Sequence, residues 1–181
     1  MKQGKGFIYR LLAILILVGT ALHFVATQSW QIGEGYTISF SSNDASGVFN
    51  DLKGSIFFDE QNLSACRFDV TIVAGSINTG NGLQNRTAKS NEWFDVLKYP
   101  VIRYVSQNIT RSGRAYQVNG TLDMHGVKKT VIIPFSFQRG SKGAVFAGTF
   151  TINRSDFGIG KPGGDVAALI KVDVRVPVVT K

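Results

Sequence analysis

The feature that most constrains this chain is a period of two. From Tyr36 onward, apolar and polar side chains alternate through most of its length. Tyr36, Ile38 and Phe40 alternate with Thr37, Ser39 and Ser41. The pattern returns at Gly54–Phe58, Phe68–Val73, Ile102–Tyr104, Tyr116–Leu122, Val131–Phe137 and Val172–Val178. Successive side chains of a strand point to opposite faces, so alternation predicts strands with one apolar and one wetter face. Turn signals separate the runs at Asn43-Asp44, Arg111-Ser112-Gly113, His125-Gly126, Arg139-Gly140-Ser141 and Pro162-Gly163-Gly164. Several of these connections are too short for a helical crossover, so neighbouring strands should be antiparallel. About eight such strands suggest an up-and-down barrel or a sandwich. The composition agrees, since 13 Phe and 20 Gly against 2 Met suit strands and tight turns.

One stretch breaks the alternation. Leu83 to Tyr99 holds Arg86, Ala88, Lys89, Glu92, Trp93, Phe94 and Leu97 and ends at Pro100. It predicts a short helix that stops before Tyr99-Pro100 and packs on the sheet through Trp93 and Phe94.

The amino terminus has a different grammar. Lys2, Lys5 and Arg10 precede an unbroken apolar run from Leu11 to Val18, and small residues follow at Gly19-Thr20-Ala21. A basic start, an apolar middle and a small-residue end make residues 1–27 a secretory signal peptide. The rival reading is an N-terminal membrane anchor, because the apolar stretch approaches the ~20 residues that span a bilayer. Either reading exports residues 28–181 to a periplasmic or extracellular location. No cysteine precedes Cys66, which excludes an amino-terminal lipidated cysteine.

The charge loses its first meaning once it is located. Of the formal +8, three units belong to Lys2, Lys5 and Arg10, leaving 17 basic against 12 acidic residues. Those bases are scattered, with no run of like charge and no RNA-binding aromatic motif, so no nucleic-acid partner is expected. Pairing as a homodimer is left open.

Reactive chemistry is sparse. Of the two histidines, His23 is in the leading segment, and His125 shares a hairpin turn with Asp123. Two candidate ligands in a turn do not make a metal site, so no metal is expected. The single cysteine, Cys66, precludes an intrachain disulfide and reads as a small packed or half-exposed thiol. Gly158-Ile159-Gly160-Lys161 fails as a phosphate loop because Pro162 follows the lysine. No catalytic set emerges, and Arg154 with Asp156 reads as a brace for the turn before the last strand.

Six segments carry a resemblance. They are Thr37–Phe40, Gly54–Asp59, Ser76–Gly80, Lys89–Pro100, Gly120–Lys129 and Asn153–Gly160. In this order and spacing, over about residues 30–179, the chain resembles the YceI-like family of polyisoprenoid-binding proteins. The resemblance implies an all-β fold: an eight-stranded antiparallel lipocalin-like β-barrel with a short helix between strands 3 and 4. It also implies an exported bacterial protein that is not an enzyme. Such a protein holds a polyisoprenoid, isoprenoid quinone or similar amphipathic lipid. Many members have histidines near Tyr36 and Ser42 to Ala45; this chain has none there, so no polar head-group contact carries over.

Alternation nominates the inward side chains. The expected ligand-binding residues are Ile38, Phe40, Ile56, Phe58, Val70, Ile72, Ile102, Tyr104, Val118, Leu122, Ile133, Phe135, Phe150 and Ile152. Trp93 and Phe94 would cap or line one end. A small barrel can be filled by its own side chains or hold one apolar ligand. The alternative is therefore an envelope interaction protein built on a packed, ligand-free scaffold.

Overall fold

A computed structural model describes residues 29–180. The expectations for residues 1–27 lie outside the described residues. The strands are β1 (Ser29–Ile32), β2 (Thr37–Ser41), β3 (Ser46–Phe49), β4 (Leu52–Phe57), β5 (Arg67–Val73) and β6 (Ile77–Asn78). They continue as β7 (Val101–Ser112), β8 (Ala115–Met124), β9 (Val127–Gly140), β10 (Gly143–Asn153) and β11 (Leu169–Thr180). The one α-helix among the described residues is α1 (Gly82–Lys89).

These segments form a closed barrel of eight antiparallel staves. Three staves are each written as two short strands. β1 and β2 both pair with β11, at Val178–Thr180 and Lys171–Arg175, so they are one interrupted stave. β3 and β4 form the next, pairing with β2 and β1 respectively. β5 and β6 form the third, pairing with β4 and β3. The pairing Trp30↔Thr180 joins the first stave to the last and closes the ring.

The interruptions are stabilised by specific polar groups. At the β1/β2 break, the Gly33 amide donates to Pro177 O at 2.8 Å. At the β3/β4 break, the Tyr36 hydroxyl donates to Asn50 O at 2.9 Å and accepts from the Leu52 amide at 3.1 Å. Ser76 Oγ accepts from the Asn50 and Asp51 amides at 3.1 and 3.2 Å. Backbone groups released from the ladder thus find other partners, a main-chain carbonyl at the first break and side chains at the second.

The β9–β10 hairpin is zipped only near its turn. Its ladder runs from Gly140↔Gly143 to Phe135↔Gly148 and stops. Beyond that point β9 pairs with β8 alone, and β10 with β11 alone. Pro134 explains the stop. A Cβ built on Gly148 would lie 2.6 Å from Pro134 O, so that carbonyl faces β10. In an antiparallel strand the amide and carbonyl of one residue face the same neighbour, and proline has no amide to give. Past the opening the strands are tied again through the segment that follows β10. Lys129 Nζ lies 3.4 Å from Asp156, and His125 Nδ1 lies 3.0 Å from Phe157 O.

The helix is shorter than the Leu83–Tyr99 stretch suggests. Asn81 caps it, accepting from the Leu83 and Gln84 amides at 2.9 and 3.2 Å. It ends at Ser90, whose hydroxyl donates to Thr87 O at 2.7 Å. Asp95 then adopts a left-handed conformation (φ 42°). Trp93 and Phe94 therefore sit in the turns after the helix rather than on it.

Candidate ligand-binding site

The barrel has a sealed end and an open end. The sealed end gathers Trp30, Phe58, Phe68, Tyr116, Phe135, Phe137 and Phe146. Phe58 is the centre, with ring centroids 4.8–6.1 Å from five aromatic neighbours, mostly edge-on. Edge-to-face contact suits the ring quadrupoles and adds about 0.5–1.5 kcal/mol per pair beyond burial. Outside this plug, Glu60 accepts from Tyr116 Oη at 2.9 Å and from Arg139 Nε at 3.0 Å. Cys66 is buried just beyond it, and burial pushes its thiol up from its ordinary range.

Above the plug is an apolar cavity of about 470 Å³. Phe68, Phe135 and Phe146 form its floor. Its walls hold Ile38, Phe40, Ile56, Val70, Ile72, Ile102, Tyr104, Val118, Leu122, Ile133, Phe150 and Ile152. Trp93 and Phe94 line it near the mouth, beside Leu83, Gln84, Thr87 and Ala88 of α1. Every residue nominated by alternation therefore faces the cavity except Phe58. Phe58 is 1% exposed, and its neighbours leave no face for a guest. It belongs to the plug.

Other wall residues escaped the nomination. Val172, Val174 and Val176 line the cavity, although their alternation was visible in the sequence. Phe49 and Leu52 also line it, from short strands on either side of the Asn50-Asp51 break. An interrupted strand offers too few alternating positions to be read as one.

Polar groups within the wall are already engaged. The Tyr104 hydroxyl lies 3.1 Å from Val118 O and 3.0 Å from Val131 O, and burial pushes its pKa up. It crosses over Gly120, where a Cβ would lie 2.6 Å from the tyrosine ring. Glycine there is what lets the ring lie flat against the wall.

The mouth is organised around Arg154, which is 4% exposed. Nε donates to Ala167 O at 3.1 Å, and Nη1 to Ile159 O at 2.6 Å and Lys161 O at 3.4 Å. Nη2 donates to Lys161 O at 3.3 Å and Val166 O at 2.5 Å. Its guanidinium carbon lies 5.2 Å from the Trp93 ring centroid. Gly160 (φ 67°) passes over both groups, and a Cβ there would lie 2.8 Å from Nη1 and 3.1 Å from the indole. The arginine thus holds the loop between the Arg154–Phe157 turn and β11 as the rim of the mouth. Asp156 instead pairs with Lys129.

His125 is in the predicted turn, with φ 54°, and packs edge-on against Tyr99 at 4.6 Å. Asp123 turns away to Lys128 at 3.5 Å. Among the described residues, no group of three or more His, Cys, Asp or Glu side chains is placed to hold a metal.

The family model for the YceI-like domain matches residues 25–180. A UPF0312 protein of Pseudomonas savastanoi pv. phaseolicola is 33% identical over 124 residues, covering 65% of each chain. A UPF0312 protein of Pseudomonas aeruginosa is 31% identical over 137 residues, or 70% of this chain and 72% of that one. Among solved structures, Burkholderia cenocepacia BcnA superposes with a TM-score of 0.78 at 24% identity, covering 81% of this chain and 99% of that one. A polyisoprenoid binding domain from Saccharophagus degradans gives a TM-score of 0.67 at 17% identity, covering 86% and 99%. With a match across nearly all of the barrel, the chain belongs to the YceI-like domain family.

Proposed function

We propose that this protein is an exported bacterial lipid-binding protein that holds a polyisoprenoid, isoprenoid quinone or similar amphipathic lipid in its barrel. The observation that carries the reading is the 470 Å³ apolar cavity between an aromatic floor and a helix-bordered mouth. The proposed ligand contacts are the wall and mouth residues that alternation nominated, without Phe58. The polyisoprenoid-binding domain of similar fold supports the same ligand class. Export to the periplasm or cell exterior is supported by the basic, apolar and small-residue order of residues 1–27.

Binding would draw on burial rather than on polar recognition. Each buried CH₂ contributes about 0.8 kcal/mol, so a few isoprene units reach useful affinity after the cost of ordering the chain. No reaction is part of this reading. A cavity of this size stands against the packed-scaffold alternative, whose interior would be filled by side chains.

The test is gentle purification of the full chain from a bacterial envelope, followed by native mass spectrometry and organic extraction. A mass increment that extracts as an isoprenoid or other long-chain lipid is expected. Protein that stays ligand-free in every host, even with lipid supplied, would sink the reading.

A further inference from the structure

We infer that the sealed end of the barrel is a docking face for an anionic phospholipid surface, which leaves the mouth on the far side of the molecule. Docking of this kind is independent of what the cavity holds.

Cations that are scattered in sequence gather at this end in space. Arg67 opens β5, and Arg114 and Lys142 occupy the β7–β8 and β9–β10 turns. The Arg111 and Arg139 guanidinium carbons lie over rings of the plug, 5.0 Å from the Tyr116 centroid and 5.5 Å from that of Trp30. Among the described residues the acids at this end are Asp59 and Glu60, and Glu60 is held by Tyr116 and Arg139. Five bases against two acids leave an excess of three. Without Lys2, Lys5, Arg10 and Lys181, the barrel has 16 bases and 12 acids. Most of its net charge is therefore at the sealed end.

The mouth has no such excess. Its loops and strand ends carry Asp44, Glu92, Asp95, Asp123, Asp156 and Asp165, which nearly cancel their cations. Asp123, Asp156 and Glu92 pair with Lys128, Lys129 and Lys161. The 12 residues of β7 separate the two ends by about 40 Å of strand, or roughly 30 Å along the axis of a tilted barrel. That is several Debye lengths at physiological salt, so a surface docked at one end feels little of the other.

Two further observations favour a lipid surface over another polyanion. Phe57 and Val179 are exposed on the outer wall, paired with Ser29 and Gln31 of β1. They set apolar side chains beside the cations, a combination suited to the head-group boundary of a bilayer and not to an acidic polysaccharide. The chain also enters the barrel here. Ser29 is preceded in sequence by the apolar run Leu11–Val18 and by Lys2, Lys5 and Arg10. A retained anchor of that composition would tether this end, and not the mouth, to the bilayer. Each Lys or Arg near an anionic membrane surface adds about fivefold to binding, so an excess of three is worth roughly a hundredfold.

Head-group quenching tests the docking face. Full-length protein purified from a bacterial envelope would carry a fluorophore on Ser141→Cys at the sealed end or on Asn91→Cys in the turn that holds Trp93. Buried Cys66 would stay unlabelled. Vesicles of phosphatidylcholine, with or without phosphatidylglycerol, would bear a nitroxide on the lipid head group. With phosphatidylglycerol, the Ser141 label is expected to be quenched far more than the Asn91 label, and the excess should fade in high salt. Arg114→Glu with Lys142→Glu should weaken the phosphatidylglycerol-dependent binding about 25-fold or more. A tethered variant would instead show Ser141 quenching reduced to its phosphatidylcholine level. Both positions are exposed turn residues, and the lipid and salt comparisons on the otherwise unaltered protein stand without them. Stronger quenching at Asn91 would overturn the inference by making the mouth the docking end. Quenching indifferent to phosphatidylglycerol would also overturn it, as would retention on heparin with no preference for anionic vesicles.

Discussion

At the scale of single residues, the molecule depends most on Arg154. A buried cation with no carboxylate partner among the described residues is stable here because main-chain carbonyls supply its counter-dipoles. Lysine cannot replace it, since three donors on a point charge do not reach carbonyls arranged around a planar fork. Arg154→Lys should cost roughly 2–4 kcal/mol of unfolding free energy, read from urea denaturation. Limited proteolysis should cut first in the loop before β11. Cys66 provides a second test. Its Sγ accepts from the Asp59 amide at 3.2 Å, and burial outweighs that bond to raise the thiol from its usual 9.0. A thiol raised on folding contributes stability that is full below its unfolded pKa and is lost as pH rises past it. Native protein at neutral pH should therefore resist iodoacetamide and react only once unfolded, as mass spectrometry of the alkylated chain would show.

At the scale of elements, the two in-strand prolines explain where the barrel wall is interrupted. The Pro177 carbonyl accepts from Gly33, so the side of β11 lacking an amide faces the β1/β2 break. Pro134 marks the place where β9 and β10 part. Amides two residues apart face the same neighbour, so those of Thr130 and Ile132 are turned toward the opening, and those of Val131 and Ile133 toward β8. Hydrogen exchange should show it: Thr130 and Ile132 exchanging markedly faster than Val131 and Ile133. Uniform protection along β9 would contradict this account of the wall. The prolines were in plain view in the sequence, and a proline within an apparent central strand is itself a signal of a ladder gap. Alternation identified which side chains face inward, because period and pleat are local. It could not identify the breaks, which depend on what lies across the ladder. The end of the helix was illegible for a related reason. Trp93 and Phe94 fit a helix by composition, but the helix ends at Ser90 before them and the left-handed Asp95 turns the chain just after them.

At the scale of the whole molecule, one inward-facing row of side chains serves two ends. Toward the strand ends that hold Trp30 and Val178 it packs into an aromatic plug, and toward α1 it stands apart around a cavity. Sequence alternation sees the row but not this division. For that reason Phe58 was indistinguishable from Phe40, although one is a core ring and the other lines the space. Substitution should separate them. Phe58→Leu should lower stability by about 1–3 kcal/mol and leave the affinity for an apolar probe nearly unchanged. Ile72→Trp, projecting into the open bore, should abolish probe binding with a smaller effect on the denaturation midpoint. If both variants lose binding in proportion to stability, plug and cavity are one packed core.

The central claim is that the interior is shaped around a guest. A crystal structure of protein purified gently from a lipid-supplied bacterial host tests it most directly. The account predicts continuous elongated density rising from Phe135 and Phe146, past Ile72 and Ile102, to the mouth beside Gln84. Side chains collapsed across that space, with the walls in contact and no elongated density, would contradict it.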